Sequence, residues 1–183
     1  MKKKAKIFIE SQGWCTMAGI GLEEGMVKKL LDSVKKYLDF EHGIVLNYPA
    51  FTEYVVEYWE ISSYPIGYKE NSAVFFSHNN PWIIIWETVL GRGDYAWDYY
   101  KKICPAYVEE KCPKLHKVEP YAYSHMTAGK EAFRPGEAKN SWLTGTAAWN
   151  CYAITQFILG INPDYKGLLI GPFIPADWKE YVV

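Results

Sequence analysis

The stretch Asn140–Trp149, with the sequence NSWLTGTAAW, leads from polar and small residues into a helical run that continues to Leu159 and ends at Gly160. A threonine at a helix start can cap the first free backbone N–H groups, and a glycine lets a ligand approach the backbone closely. The positive end of the helix dipole favours an anion at the same place. Thr144 and Gly145 are therefore candidates for an anion site, most simply for phosphate. An ordinary capped helix is the alternative, and this stretch alone leaves it open.

A second helix start of the same kind lies upstream, in the sequence SHNNPW at residues 77–82. Asn80 can cap a helix and Pro81 suits its first position, which predicts a helix that continues through Ile83 to Leu90. His78 then stands just before a helix N-terminus, where an imidazole can donate to an anion that the dipole already favours. A lone histidine is more often a structural residue, so that alternative also stays open.

Length and charge bound the class of protein. A chain of 183 residues suits one domain, or part of a larger one, and can bury a sizeable core. The net charge is −1, so no basic surplus indicates nucleic acid. The longest apolar run, Trp82–Trp86, is too short to span a membrane. We therefore expect neither a nucleic-acid partner nor a membrane partner.

Aromatic residues are abundant, with 15 Tyr, 8 Trp and 8 Phe. Tyr and Trp rings offer an apolar face and a polar tip, which suits a cleft that binds sugars by stacking and hydrogen bonding. A large aromatic core is the alternative, and it must account for much of this content.

The four cysteines indicate reduced thiols. They form no C-x-x-C pair, and no histidine lies at zinc-finger spacing from them, so the sequence predicts no metal site. Three of them lie in apolar surroundings, which we interpret as buried thiols of a cytoplasmic protein. Ile7–Ile9 is too short to be the hydrophobic segment of a signal peptide.

The pattern of apolar residues predicts a mainly α fold, in which helix hairpins carry long irregular loops at one end. The clearest amphipathic helix is Leu22–Phe40, with apolar residues at three- and four-residue steps. This arrangement suits a helical barrel whose loops line a cleft. The further predicted elements are an extended piece at Ala5–Glu10, a helix at Tyr95–Cys104, irregular segments at 41–68 and 113–138, and a short extended C-terminal tail at Leu168–Pro175.

Several motifs together resemble one family, the inverting disaccharide phosphorylases of glycoside hydrolase family 94, which include cellobiose and chitobiose phosphorylases. The resemblance covers nearly the whole chain, with its motifs in the family's order. The motifs are ESQGW at 10–14, YPIGYKEN at 64–71, HNNPW at 78–82, EPY at 119–121, GEAKNSWLTGTA at 136–147 and INPDYKGL at 161–168.

The resemblance implies an (α/α)6 barrel, of which residues 1–183 would be a C-terminal part of the catalytic domain. It also implies that inorganic phosphate attacks the anomeric carbon of a β-linked disaccharide with inversion, giving a sugar 1-phosphate and a free sugar. Inverting hydrolases need a carboxylate base to activate water as well as an acid. Phosphate is already a nucleophile, so one general acid suffices. Phosphate is then a substrate, and no cofactor is expected.

The resemblance assigns site residues by position. It implies that His78, Thr144 and Gly145 bind phosphate and that Tyr64, Lys69, Glu70 and His125 bind sugar. His125 stands where the family is expected to have a glutamine.

In the family, the general-acid aspartate and an arginine that helps to hold phosphate precede the ESQGW motif, so the resemblance implies that neither is among residues 1–183. The chain by itself is therefore expected to be inactive, with the missing N-terminal part of the same enzyme as a partner. A homodimer also agrees with the family.

Two other functions remain open from the sequence. One is a non-catalytic carbohydrate-binding or assembly module that keeps the cleft wall. The other is a hydrolase on a related helical barrel, for which Glu10, Glu70 and Glu137 are the candidate acids and bases.

Overall fold

The computed structural model describes residues 6–182, and helices make up most of its regular structure. The prediction of a mainly α fold is confirmed. The helices are α1 Ile9–Met17, α2 Met26–Tyr37, α3 Asn79–Val89, α4 Gly93–Ile103, α5 Pro105–Lys111, α6 Pro113–His116 and α7 Thr146–Tyr152, with a 3-10 helix at Val56–Ser63 and a π-helical segment at Ala153–Ile158 that extends α7. The strands are β1 Ile7–Phe8, β2 Asp39–Phe40, β3 Gly43–Ile44, β4 Asn47–Tyr48, β5 Val74–Phe75, β6 Ser124–Thr127, β7 Ala138–Ser141, β8 Ile161–Asp164 and β9 Gly167–Ile170.

Helix α3 is the central element. Its residues from Asn79 to Thr88 are all buried, because the sequence is apolar around most of the helix circumference. It packs against α1 on one side, α4 on another, and α7 with its π-helical extension on a third. Ile83 and Ile84 are fully buried in one cluster with residues of α2 and α4. The other elements are therefore arranged around α3.

Helix α2 is shorter than the predicted helix Leu22–Phe40. It begins at Met26, because Gly21 and Gly25 have left-handed φ angles of 75° and 67° and keep the preceding turns out of the helix. It ends at Tyr37, and Phe40 pairs with Gly43 in the β2–β3 hairpin. The predicted apolar stripe is present, since its buried residues lie on one face.

Two predicted boundaries near the site are wrong. Of the predicted extended piece at Ala5–Glu10, Ala5 lies outside the described residues; among the rest, Ile7–Phe8 form a strand and Ile9 already begins α1. Asn80 lies inside α3 rather than at its cap. Its amide oxygen accepts the Ile44 N–H at 2.8 Å, and its amide nitrogen donates to the Ile44 carbonyl at 3.1 Å. The side chain thereby pairs the backbone N–H and carbonyl of Ile44 in β3, so it is not available to cap α3.

A three-stranded antiparallel sheet, in the order β5-β6-β7, occupies segments that were partly predicted to be irregular. Met126 of β6 pairs with Phe75 on one side and with Lys139 on the other. β5 leads within three residues into α3, and β7 leads within four residues into α7. The sheet therefore places the starts of both helices next to each other.

The predicted C-terminal tail is partly a hairpin. β9 pairs antiparallel with β8, so that Ile170 lies opposite Ile161. Beyond the hairpin the chain is irregular and returns to the helices, where the Phe173 N–H donates to the Ile158 carbonyl at 2.9 Å. In residues 6–182, no helix combines the length and apolarity that crossing a membrane requires.

The four cysteines are free thiols, but the expected burial holds for one of them. Cys104 is buried, Cys15 and Cys112 are half-buried, and Cys151 is exposed on α7.

Candidate functional site

The first turns of α3 and α7 lie side by side. The rings of Trp82 and Trp149 meet edge to face, with centroids 5.9 Å apart. His78 precedes Trp82 by one turn and contacts its ring at 5.6 Å. Gly145 precedes Trp149 by one turn and accepts its N–H at 3.1 Å. Residues four apart lie above one another on a helix, so the two predicted anion-binding segments occupy the same end of neighbouring helices.

Helix α1 completes this aromatic contact. The Trp14 ring lies 4.9 Å from that of Trp82. A Cβ added at Gly13 would come within 3.0 Å of a Trp82 ring carbon. The glycine of the ESQGW motif is therefore needed for α1 to approach α3 this closely.

The loop before α7 has an internal hydrogen bond to the helix start and an exposed backbone at Gly145. The Thr144 hydroxyl oxygen accepts the Thr146 N–H at 3.2 Å and lies 2.5 Å from the Thr146 hydroxyl. Gly145 is exposed, and a Cβ added there would meet only Trp149, at 3.8 Å. The N-cap position of α7 is Gly145, which has no side chain to cap with, so the Thr144 hydroxyl satisfies the first helical N–H from one residue further back, and the backbone at Gly145 is accessible.

His78 is half-buried at the N-cap position of α3. Burial, followed by the neighbouring His125, lowers its pKa, which favours the neutral form of the ring. Its Nδ1 is buried and has no hydrogen-bond partner among the described residues. A neutral imidazole has one donor and one acceptor nitrogen. With the proton on Nε2, His78 has one N–H to donate.

His125 lies in β6, next to His78 in space. Its ring stacks on Phe75, with centroids 4.7 Å apart and planes at 27°. Phe76 contacts both histidines, at 5.4 Å from His125 and 5.8 Å from His78. Burial lowers the pKa of His125. The structure thus brings together a predicted sugar residue and a predicted phosphate residue.

Tyr64 and Lys69 form a pair beside this sheet. The Tyr64 hydroxyl donates to Glu60, and that carboxylate raises the pKa of Tyr64 to about 12. The Lys69 ammonium lies over the Tyr64 ring, 4.4 Å from its centroid. The Lys69 backbone N–H contacts the Met126 sulfur at 3.2 Å, which places the pair next to the strand of His125.

Two of the three candidate carboxylates are neighbours. Burial raises the pKa of Glu10, and the charge of Glu70 raises it further. The Oε2 atom of Glu70 is buried without a hydrogen-bond partner among the described residues. Glu137 differs, because Lys117 at 3.0 Å and Arg134 at 3.4 Å hold its pKa low. Glu137 is therefore a poor general acid.

Unfavourable backbone conformations concentrate at this end. Of the six non-glycine residues with positive φ in the described range, five lie in two short segments, 69–76 and 140–142. Such residues persist only where the surroundings enforce them, and they cluster at functional sites. They are Lys69, Ser72, Phe76, Asn140 and Trp142, with φ between 47° and 71°.

Sequence reasoning missed the indole cluster of Trp14, Trp82 and Trp149, and it missed Asn79. The Asn79 amide is buried at the start of α3, and neither of its polar atoms has a partner among the described residues. The four-residue spacing of His78 to Trp82 and of Gly145 to Trp149 was the available signal. Within residues 6–182, no three His, Cys, Asp or Glu side chains converge as a metal site would require.

Comparison with known proteins identifies the family of the chain. The family model for the glycosyl hydrolase 94 superfamily, catalytic domain, matches residues 1–160. The chain therefore belongs to this family, whose catalytic domain is an α/α barrel, in agreement with the mainly helical fold.

Two relatives that match nearly the whole chain are phosphorylases by name. The chain is 33% identical over 182 residues to an N,N'-diacetylchitobiose phosphorylase of Vibrio proteolyticus, covering 100% of this chain and 22% of the relative. It is 34% identical over 180 residues to a solabiose phosphorylase of Paenibacillus borealis, covering 98% of this chain and 23% of the relative. The chain thus spans less than a quarter of the length of these relatives.

Proposed function

We propose that the chain forms the phosphate- and sugar-holding wall of a glycoside phosphorylase, in the C-terminal part of its (α/α)6-barrel catalytic domain. The reaction is cleavage of a β-linked, cellobiose-like disaccharide by inorganic phosphate, with inversion. The observation that carries this proposal is the contact between the Trp82 and Trp149 rings, one turn into α3 and α7 from His78 and Gly145, which brings the N-terminal ends of the two helices together. Membership of the family supports the same reaction.

In the proposed mechanism, phosphate lies between His78 and the Thr144–Gly145 loop. The Nε2–H of neutral His78, the Thr144 hydroxyl and the first-turn N–H groups of α7 that follow Thr146 donate to its oxygens. One phosphate oxygen attacks the anomeric carbon as the glycosidic C–O bond breaks. Attack opposite the leaving group inverts the anomeric centre, and the leaving oxygen takes a proton from an aspartic acid outside these 183 residues.

The sugar is held by the neighbouring polar residues. The Glu70 carboxylate, whose Oε2 atom is buried without a hydrogen-bond partner among the described residues, accepts sugar hydroxyls, and Lys69 donates to them. Tyr64 carries Lys69 on its ring face, and His125 offers an imidazole in place of an amide.

The rest of the enzyme consists of an N-terminal part of the same protein, and the whole assembles as a homodimer. Free thiols agree with a cytoplasmic location.

Phosphate binding by the full chain tests the anion site. Isothermal titration with inorganic phosphate is compared for wild type, Thr144→Val, Thr144→Ser and Thr155→Val. Thr144→Val should weaken binding by roughly 10–100-fold, the value of one charge-assisted hydrogen bond, and Thr144→Ser should restore it. Thr155→Val is the control, because the Thr155 hydroxyl donates within its own helix to the Cys151 carbonyl at 2.6 Å. Equal affinities for Thr144→Val and wild type would exclude this site.

Turnover distinguishes the candidate functions. The chain is mixed with the N-terminal part of the V. proteolyticus relative, and N,N'-diacetylchitobiose or cellobiose is added with and without phosphate. Phosphate-dependent release of a sugar 1-phosphate, lost in His78→Ala, supports the proposal. Release of free sugars without phosphate would instead favour a hydrolase that uses Glu10 and Glu70.

A non-catalytic carbohydrate-binding module is the second candidate. It is favoured because residues predicted to bind sugar lie close together within this chain: Lys69 is over the Tyr64 ring, and its backbone contacts Met126, next to His125. Saccharide binding by the chain, with no release of products in the reassembled enzyme, would select it.

A further inference from the structure

Two aromatic side chains stand exposed beside the proposed phosphate loop. Trp142 is 67% exposed and Tyr121 is 71% exposed. Their ring centroids lie 6.0 Å apart, with planes at 62°. Large exposed rings that contact each other are unusual on a surface that has no ligand to bind.

The Trp142 ring is fixed in place. Its indole N–H donates to Glu119 Oε1 at 2.9 Å, and this bond lowers the pKa of the Glu119 carboxyl. Because the edge of the ring carries the hydrogen bond and two thirds of the side chain is exposed, a flat face of the indole remains accessible. The backbone of Trp142 is left-handed, with φ of 67°, a strained conformation for an aromatic residue. The fold therefore tolerates a strained backbone at a residue that exposes an apolar ring to solvent.

The pair lies at the edge of the candidate site. Trp142 follows Ser141, the last residue of β7, which pairs with Ser124 beside His125. It precedes Thr144 by two residues, so the ring belongs to the same short loop that the proposed phosphate site uses.

We propose that Tyr121 and Trp142 form a stacking platform for a pyranose ring of the carbohydrate substrate, on the outer side of the site from the phosphate. This inference rests on the proposed function and adds a sugar subsite to it. The C–H face of a β-linked glucose or N-acetylglucosamine unit packs on an indole face, while its hydroxyls stay in water. Glu119 is a positioning residue, which orients the indole without contacting the sugar ring.

The test follows the indole N–H of Trp142 by NMR in the full 183-residue chain. Its resonance is identified as the one missing from Trp142→Phe. Addition of cellobiose or N,N'-diacetylchitobiose should shift it with saturation, and Trp142→Ala should weaken sugar binding about tenfold, whereas Trp142→Phe keeps most of it. Tyr165→Ala is the matched control, since Tyr165 is fully exposed at the β8–β9 turn.

Phosphate titration of Trp142→Ala distinguishes two roles of Trp142: stacking on the sugar, or only holding the shape of the loop that contains Thr144 and Gly145. The platform predicts that phosphate affinity stays within about twofold of wild type. An equal loss of phosphate and sugar affinity would overturn the platform, because it would mean that Trp142 only shapes the loop. Sugar binding that leaves the Trp142 signal unmoved would also overturn it while the proposed function stands. If no indole signal moves at any sugar concentration, the platform is wrong, and the phosphate titration decides the function separately.

Discussion

The buried carboxyl of Glu87 gives a prediction with a defined sign. Glu87 lies on α3 and is fully buried, with Arg92 Nε 2.8 Å from its Oε2 atom. Burial raises its pKa from 4.5 to about 7, against the attraction of Arg92. A folded-state pKa above the unfolded value means that the folded chain binds the proton more tightly. This group therefore stabilises the fold fully below pH 4.5, and the stabilisation is lost as the pH rises through 7.

The change we propose is Glu87→Gln, which keeps the shape of the protonated side chain and cannot ionise. A shift from 4.5 to about 7 corresponds to about 3 kcal/mol of proton-linked free energy. Most of this difference falls between pH 5 and pH 8.5. On going from pH 5 to pH 8.5, the wild type should lose about 2–3 kcal/mol of unfolding free energy relative to the variant.

Urea unfolding of both proteins at pH 5 and pH 8.5 measures this quantity, since every other titrating group contributes equally to each. Glu53→Gln, at an exposed position, is the control and should follow the wild type. Parallel pH profiles for wild type and Glu87→Gln would refute the reasoning. They would mean that Arg92 and its surroundings keep the carboxylate as stable as it is in water.

Three further predictions concern packing, and urea midpoints measure each of them. Gly67→Ala should destabilise the fold by at least about 3 kcal/mol. Gly67 has φ of 79°, and an added Cβ would lie 2.3 Å from the Ala132 nitrogen. An unchanged midpoint would show that the 64–71 segment moves freely. Asn80→Ala should cost about 2–4 kcal/mol, since it leaves the Ile44 N–H and carbonyl without their partner, and a loss below that range would mean that water replaces the amide. Gly13→Ala should cost about 1–3 kcal/mol through overpacking on Trp82, and an unchanged midpoint would show that the Trp82 ring moves aside; Gly19→Ala, at φ of 69° with nothing within 4 Å of the added Cβ, gives the effect of backbone strain alone for comparison.

The helices could be predicted because their signals are local. The stripe in α2 and the apolar sequence of α3 each lie within one element, and the structure confirms both. The start of α2 was misplaced, because Gly21 and Gly25 adopt left-handed conformations that apolar spacing does not register. The prediction that Asn80 caps α3 was wrong, because its side-chain amide hydrogen-bonds to the backbone of Ile44 in β3, a strand distant in sequence.

The sheet of the site could not be predicted, because its strands pair across long sequence separations. β5 and β6 are about fifty residues apart, and the AKNS sequence of β7 has none of the apolar alternation that marks a strand. The seven predicted site residues come from the family resemblance. In the structure His78 and His125 contact the same Phe76 ring, and the contact of Trp82 with Trp149 brings the starts of α3 and α7 together. Their roles in binding stay predictions.

The row of indoles from Trp14 through Trp82 to Trp149 has a spectroscopic consequence. With centroid separations of 4.9 and 5.9 Å and planes inclined at 52° and 82°, neighbouring rings are close and skewed enough for their excited states to couple. The chain should therefore show an intense near-ultraviolet circular dichroism signal from these three residues. Because the rings belong to α1, α3 and α7, that signal reports whether the three helices meet at the site, without any substrate or label.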